Sequence, residues 1–146
     1  MTEVLHLPRM ERYALAAMVC LASHDDHPTA SVLAQRTDAP PAMLAKVLRR
    51  LVEAGLLEGE RGHHGGYRLA RDPHRVSLGE VLAAVHDHPE GATECAMGVR
   101  ACNPQKPCAM HHRWAAATAP LRELMLGVSL AEVAAEPRSA QKGCPD

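Results

Sequence analysis

The chain has 146 residues, enough for one compact domain with small appendages. Apolar residues make up 47% of it and aromatic residues 2%, with no Phe, so Leu, Val, Ala and Met must fill any core. The formal net charge of −1 excludes a strongly basic protein, and charge alone therefore indicates no nucleic-acid partner.

The cysteine content and the lack of long apolar segments indicate the compartment. No stretch approaches the ~20 consecutive apolar residues that span a bilayer. His6, Pro8 and Arg9 interrupt any apolar run near the N-terminus, which disfavours a signal peptide. The chain has five cysteines, an odd number that cannot be fully paired in disulfides. We therefore expect a cytoplasmic protein whose cysteines are metal ligands or reactive thiols.

The N-terminal part predicts three helices. The first runs from about Arg9 to Ser23, where apolar residues recur at helical spacing and Cys20 is a small core residue. A short second helix follows, with Thr29 or Ser31 as its N-cap. The third begins at a pair of prolines and ends before Gly55, a typical residue just beyond a helix. Its apolar residues, three and four positions apart, are Leu44, Val47, Leu48 and Leu51.

A β-hairpin is predicted after the third helix. Its strands run from Leu57 to Glu60 and from Gly66 to Ala70, and a glycine-rich loop joins them. Three helices followed by a hairpin, with a short turn between the second and third helices, form the winged helix-turn-helix plan. The sequence therefore predicts a mainly α fold with a small β-hairpin, in which residues 1–75 form a winged helix-turn-helix DNA-binding domain.

The third helix and the hairpin loop carry the candidate DNA contacts. From Arg36 to Arg75 there are eight basic and five acidic residues, a local excess of three positive charges. The N-terminal residues of a reading helix contact base edges and its basic residues lie near phosphates, although any amphipathic surface helix can carry such charges. The glycine-rich hairpin favours the DNA-binding interpretation. The candidate residues are Met43, Lys46, Arg49, Arg50, Arg61, His63 and His64.

The rest of the chain is predicted to be helical on either side of a loop. Residues 76–93 form a connecting helix capped by Ser77, and residues 94–112 form a loop without periodic apolar residues. Residues 108–135 form a long helix, kinked at Pro120, with a final turn, and residues 136–146 a disordered tail. A lone helix this apolar would expose too large a patch, so a dimer interface is predicted on it. The residues expected between subunits are Leu121, Leu124, Met125 and Val128.

The loop of residues 94–112 contains a candidate metal site. Six residues separate Cys95 from Cys102, five separate Cys102 from Cys108, and two lie between Cys108 and His111. Three thiolates and one imidazole suffice for a zinc ion or an iron–sulfur cluster, and three unrelated thiols rarely lie so close together in a polar loop. The ligand types alone do not separate zinc from iron–sulfur.

Several segments of the chain resemble a known family. The first helix carries Arg12-Tyr13-Ala14-Leu15, the third helix carries Met43-Leu44 and LRRLVEAGLL from Leu48 to Leu57, and the wing carries Arg61-Gly62 and GGYRLAR from Gly65 to Arg71. The three-cysteine loop and then Trp114 follow at the expected distance. Over roughly Pro8 to Val133, the chain resembles the bacterial iron–sulfur winged-helix regulators typified by IscR, NsrR and RirA.

The resemblance implies a homodimer formed through the long helix and a partly palindromic DNA operator. It also implies a repressor whose operator affinity is controlled by an iron–sulfur cluster that senses redox state, nitric oxide or the supply of iron or clusters. Cys95, Cys102 and Cys108 would ligate the cluster, with His111 at the place of the histidine ligand of IscR-like members. Four donors, two for each iron, favour a 2Fe–2S cluster. NsrR-like members can use an aspartate near the start of the first helix, where this chain has Arg12.

Alternatives stay open from the sequence. His112, Glu94, Glu11 and a donor from the partner subunit are alternatives for the fourth position, and the same three cysteines can hold a 4Fe–4S cluster. The alternative function is a zinc-stabilised winged-helix module that binds protein and senses no redox signal. No catalytic constellation is visible, so we expect no enzyme activity.

Overall fold

The computed structural model describes residues 7–60, 62, 65–86 and 105–135. Within these ranges the chain forms six α-helices, a short 3-10 helix (Pro73–Arg75) and one two-stranded sheet, which confirms the predicted mainly α fold with a small hairpin. The helices are α1 (Arg9–Ser23), α2 (Ala30–Arg36), α3 (Pro41–Glu53), α4 (Leu78–Val85), α5 (His111–Gly127) and α6 (Leu130–Ala135), and the strands are β1 (Leu57–Gly59) and β2 (Tyr67–Leu69). Of the helices in the described ranges, none is long and apolar enough to cross a membrane.

The chain divides into two units. Residues 1–86 together with 126–146 make up the first unit, and residues 87–125 make up the second. The first contains α1 to α4, the hairpin and α6, and the described part of the second is residues 105–125, which hold most of α5. The finer division proposed from the sequence, with its connecting helix, cluster loop, dimerisation helix and tail, stays a prediction.

The starts and ends of the first three helices follow the local chemistry of their residues. The backbone N–H of Val32 donates to Thr29 Oγ1 at 3.4 Å, so Thr29 is the N-cap of α2. Pro41 stands in the first turn of α3, where a missing N–H costs nothing. Gly55, just beyond α3, has a φ of 70°, a left-handed conformation that glycine adopts without strain.

The core of the first unit is built around α1. Ala14, Ala17, Met18 and Cys20 are fully buried, and the small residues let α1 pack against α3, α4 and α6. The facing helices contribute apolar side chains that are also fully buried: Leu44, Val47, Leu48 and Leu51 of α3, Val81 of α4 and Leu130 of α6. Because burial of one Leu side chain contributes about 2 kcal/mol, this shared core determines the arrangement of the helices.

The N-termini of α4 and α6 lie side by side. Each begins with a capping box, formed by Ser77 with Glu80 in α4 and by Ser129 with Glu132 in α6. Ser77 and Ser129 are joined by an antiparallel bridge. The backbone N–H of Ser77 and the guanidinium of Arg71 hold the pKa of Glu80 below its usual value. The bridge and the caps attach the end of the described chain to the core that α1 organises.

Two elements differ in extent from the prediction. Each strand has three residues, paired antiparallel from Leu57 opposite Leu69 to Gly59 opposite Tyr67, and each is shorter than expected. The long helix α5 begins at His111 and not near Cys108, because the residues before it form turns. Pro120 lies inside α5, as predicted.

Gly66 brings the hairpin into contact with the loop between α1 and α2. A Cβ atom at Gly66 would lie 2.0 Å from the carbonyl oxygen of His27 and 3.0 Å from that of Pro28. The next residue, Tyr67, donates its backbone N–H to Pro28 O at 3.0 Å. Only glycine leaves room for this approach, and the carbonyl oxygen of Gly66 still accepts the backbone N–H of Glu60 at 2.9 Å.

The variant Gly66→Ala should lose about 2 kcal/mol or more of unfolding free energy, because its Cβ would clash with a backbone carbonyl rather than with a flexible side chain. Urea denaturation measures the change. Gly127→Ala is the matched control, since nothing lies within 4 Å of a Cβ there and alanine favours helix. Equal stabilities of the two variants would contradict the close approach at Gly66.

Candidate nucleic-acid interface and metal ligands

The side of α3 that faces away from the core carries one stripe of exposed residues. Ala42, Lys46, Arg49 and Glu53 follow one another four, three and four positions apart, and all four are exposed. They lie opposite the buried apolar strip of the same helix. Two of the predicted DNA contacts, Lys46 and Arg49, are therefore on one outward face.

Arg49 forms an ion pair along this stripe. Its Nε lies 2.8 Å from Glu53 Oε1, and the Arg49 side chain is 80% exposed. An exposed pair of this kind on a helix contributes about 0.5 kcal/mol or less. The pair therefore orients the guanidinium of Arg49. It is weak enough for another anion, such as a phosphate, to replace the carboxylate of Glu53.

Arg50 lies on a different side of α3. It is half-buried, and its Nη1 donates to the carbonyl oxygen of Val85, the last residue of α4, at 2.6 Å. The last carbonyls of a helix have no partner within the helix, so a guanidinium stabilises this end. This placement differs from the prediction that Arg50 contacts DNA beside Arg49, because the side chain is directed to α4.

Of the four remaining candidate DNA contacts, Met43 is among the residues that the structure describes. Met43 is half-buried on the flank of α3, and Arg61, His63 and His64 lie outside the described residues. In strand β2, Arg68 Nη2 lies 2.7 Å from Glu58 Oε2. This carboxylate raises the pKa of Arg68 above its usual value and balances its charge. The roles of Met43 and of the three loop residues stay predictions.

Of the four predicted metal ligands, two lie in the described part of the chain. Cys108 is half-buried, and its carbonyl oxygen accepts the backbone N–H of His111, the first residue of α5, at 3.0 Å. His111 is half-buried and His112 is exposed, with their ring centroids 5.2 Å apart in an edge-on arrangement. Cys95 and Cys102 lie outside the described residues. Among the residues described, no three His, Cys, Asp or Glu side chains are gathered as a metal site.

A buried acid on α1 was not recognised as structurally important from the sequence. Glu11 is 6% exposed, and its Oε1 lies 2.7 Å from His86 Nδ1, at the C-terminal end of α4. From the sequence, Glu11 is only an alternative cluster donor, and no local pattern links it to a histidine 75 residues later. In the structure this carboxylate binds His86, so α1 and α3 both hold the end of α4, through Glu11 and Arg50.

The comparison with protein families agrees with this geometry. A family model for Rrf2, described as an iron-dependent transcriptional regulator, matches residues 7–136. This chain belongs to the Rrf2 family. The matched region covers the winged helix, the cysteine segment and α5.

Individual Rrf2-type proteins support the assignment. The chain is 32% identical over 125 residues to the HTH-type transcriptional regulator IscR of Vibrio campbellii, covering 84% of this chain and 73% of that protein. It is 29% identical over 133 residues to a putative HTH-type transcriptional regulator, ORF2, of Azotobacter vinelandii, and the match covers 90% of this chain and 80% of that protein. Among solved structures, T. potens IscR has a TM-score of 0.73 at 22% identity, and the match covers 98% of this chain and 97% of that one. CymR of B. subtilis has a TM-score of 0.69 at 23% identity, with 90% of this chain and 97% of that one covered.

These likenesses decide the coarse function. The solved structures confirm the winged-helix fold, and the sequence relatives are helix-turn-helix transcription regulators. This Rrf2 chain is therefore a helix-turn-helix transcription regulator and not an enzyme, as the sequence predicted.

The two neighbouring arginines of α3 should differ in their effect on stability. Arg50→Met removes a charged donor from the Val85 carbonyl and should cost about 2 kcal/mol of unfolding free energy. Arg49→Met removes only an exposed ion pair and should cost about 0.5 kcal/mol or less. Urea denaturation of the two variants tests the assignment. An Arg50→Met protein as stable as the Arg49→Met protein would argue against a structural role for Arg50.

Proposed function

We propose that this Rrf2 chain is a homodimeric repressor whose affinity for its DNA operator is controlled by an iron–sulfur cluster, with Cys95, Cys102, Cys108 and His111 as ligands. The observation that carries the proposal is the position of Cys108 and His111, which are half-buried and one turn apart at the start of α5. They stand within a family match described as an iron-dependent transcriptional regulator. Because the partner is chromosomal DNA, the proposal also places the protein in the cytoplasm.

The donor set suits such a cluster. A thiolate and a neutral imidazole are both ligands of 2Fe–2S centres, and two further cysteines complete the four donors. Glu11, one of the alternative donors, is engaged with His86 inside the first unit, which favours a donor close to Cys108 in sequence. When bound, the cluster would supply a redox-active group, and an imidazole in place of a thiolate raises its reduction potential. The signal would be redox state, nitric oxide or the supply of iron or clusters.

Protein purified without air should be coloured and contain two iron and two sulfide ions per chain, with the Mössbauer and EPR signals of a 2Fe–2S cluster. His111→Ala should change these spectra and the reduction potential, because the imidazole ligand is lost. His112→Ala is the matched control and should leave both unchanged. A 4Fe–4S signature, or equal effects of the two variants, would overturn the ligand set. A colourless protein with one zinc ion per chain would support the protein-binding module instead.

The outward stripe of α3 supports the proposed DNA interface. Lys46 and Arg49 are exposed on the helix that follows the turn of the helix-turn-helix, where a reading helix enters the major groove. Glu53, on the same stripe, is the one acidic side chain of α3 and is paired with Arg49. Binding to DNA would replace this carboxylate by a phosphate as the partner of Arg49. The charge of Glu53 then opposes DNA binding.

Arg49→Ala should weaken operator binding several-fold and flatten the salt dependence by roughly one counterion for each subunit. Glu53→Gln should strengthen binding, because it removes a negative charge from the interface. Arg50→Met serves as the matched control and should leave the slope of log Kd against log salt unchanged. Fluorescence anisotropy with a selected operator duplex measures all three. The assignment of this face fails if the Arg49 and Arg50 variants have the same slope.

A face of α5 supports the proposed dimer. Leu121 and Leu124 are 38% and 56% exposed, and with Trp114, Ala117 and Val128 they follow a heptad-like spacing. Met125 and Val128, also predicted between subunits, are half-buried. Exposed apolar side chains aligned on one helix face favour contact with a second copy of that face.

Leu124→Glu should convert the dimer to a monomer at micromolar concentration, because a carboxylate would have to be buried between two subunits. Ala115→Glu, exposed on the side of α5 opposite Leu124, is the matched control and should remain dimeric. Sedimentation velocity distinguishes the two states. A wild-type protein that sediments as a monomer would contradict the proposed dimer.

A further inference from the structure

The tip of α3 presents an apolar surface. The four buried apolar residues of α3 orient the helix so that Pro41, Ala42 and Ala45 are exposed in its first turns. None of these three side chains has a hydrogen-bond donor or acceptor. The first polar side chain on the outward face is Lys46, more than a turn beyond the start of the helix.

The backbone at this tip is also poor in donors. Pro41 has no N–H, and the N–H groups of Met43 and Leu44 both donate to the carbonyl oxygen of Pro40, at 3.0 and 2.9 Å. A helix that begins in this way holds few of the backbone donors that commonly bind phosphate at helix N-termini. Contacts made by the tip are therefore mainly apolar.

Apolar side chains can read one base in the major groove. Thymine carries a C5-methyl group, and small apolar side chains such as alanine contact it, whereas guanine, adenine and cytosine are read by hydrogen bonds from polar side chains. The first residues of a reading helix face base edges, and the later basic residues lie nearer to phosphates. On the exposed face of α3, Ala42 and Ala45 follow Pro41, and Lys46 and Arg49 come later.

We propose that Ala42 and Ala45 are specificity-determining residues, and that they select operator half-sites with thymine methyl groups at the positions they face. This inference rests on the proposed DNA-binding function of α3. It specifies that the exposed N-terminal part of α3 recognises thymine-containing half-sites. Lys46 and Arg49 supply affinity through phosphates that is independent of the base sequence.

The test begins with operator duplexes selected from a random pool by the full-length protein. Each conserved thymine of the enriched half-site is then replaced by uracil, which removes only the methyl group and keeps the hydrogen-bonding edge. Removal of a contacted methyl should weaken binding about fourfold, the ratio expected for the burial of one such group. A second set of duplexes carries cytosine in place of the same thymine. Replacement of this cytosine by 5-methylcytosine restores the methyl group and should recover part of the lost affinity.

Two protein variants separate methyl reading from phosphate binding. Ala45→Gly removes the contacting methyl of the protein and should reduce the difference between thymine and uracil duplexes. Lys46→Ala should weaken binding to both duplexes by the same factor. The uracil comparison uses the unaltered protein, so it decides the question even if Ala45→Gly fails to fold.

The outcomes distinguish the two levels of the argument. If no sequence is enriched and no duplex is bound, the proposed DNA-binding function of α3 fails. If an operator is enriched but uracil has no effect, while 7-deazaguanine, which lacks the N7 acceptor, weakens binding, the function stands and thymine reading by Ala42 and Ala45 is overturned.

Discussion

Burial of one side of α3 against its neighbours is the constraint on which the interface depends. Leu44, Val47, Leu48 and Leu51 are fully buried, and α3 packs on α1, α2, α4 and β1. With about 2 kcal/mol for each buried Leu, rotation of α3 about its axis would cost far more than any exposed charge contributes. The core therefore decides which side chains face outward: alanines at the tip, then Lys46 and Arg49.

The C-terminal end of α4 is a second point where elements meet. Arg50 of α3 binds the carbonyl of Val85, and Glu11 of α1 binds the imidazole of His86. The segment that carries Cys95 and Cys102 begins directly after His86 in sequence. The two contacts hold the C-terminal end of α4 to α1 and α3.

The hairpin shows how a short element can be fixed by a single residue. Strands of three residues form few hydrogen bonds with each other, and an isolated hairpin of this kind is marginally stable. The close approach of Gly66 to His27 and the bond from Tyr67 to Pro28 attach the strands to the body of the first unit. The position of the hairpin is thus set at Gly66, where only glycine fits.

Local patterns in the sequence predicted the mainly α fold, the order of its elements, an N-cap of α2 at Thr29 or Ser31, the glycine after α3 and the buried face of α3. These features depend on interactions between residues a few positions apart, which periodicity and capping chemistry record. The sequence also placed Cys108 and His111 near each other, because both stand within one turn. It could not separate Arg49 from Arg50, since both follow the same helical pattern at its polar margin.

Only the tertiary structure decided the roles that depend on distant residues. Arg50 differs from Arg49 because the end of α4, 35 residues later, lies beside it, and Glu11 is buried because His86 lies 75 residues away in the chain but 2.7 Å away in space. Gly66 is required because another loop passes within contact of its backbone. Local sequence carries no record of such partners, since folding brings them together through the shared core and not through any pattern of neighbouring residues.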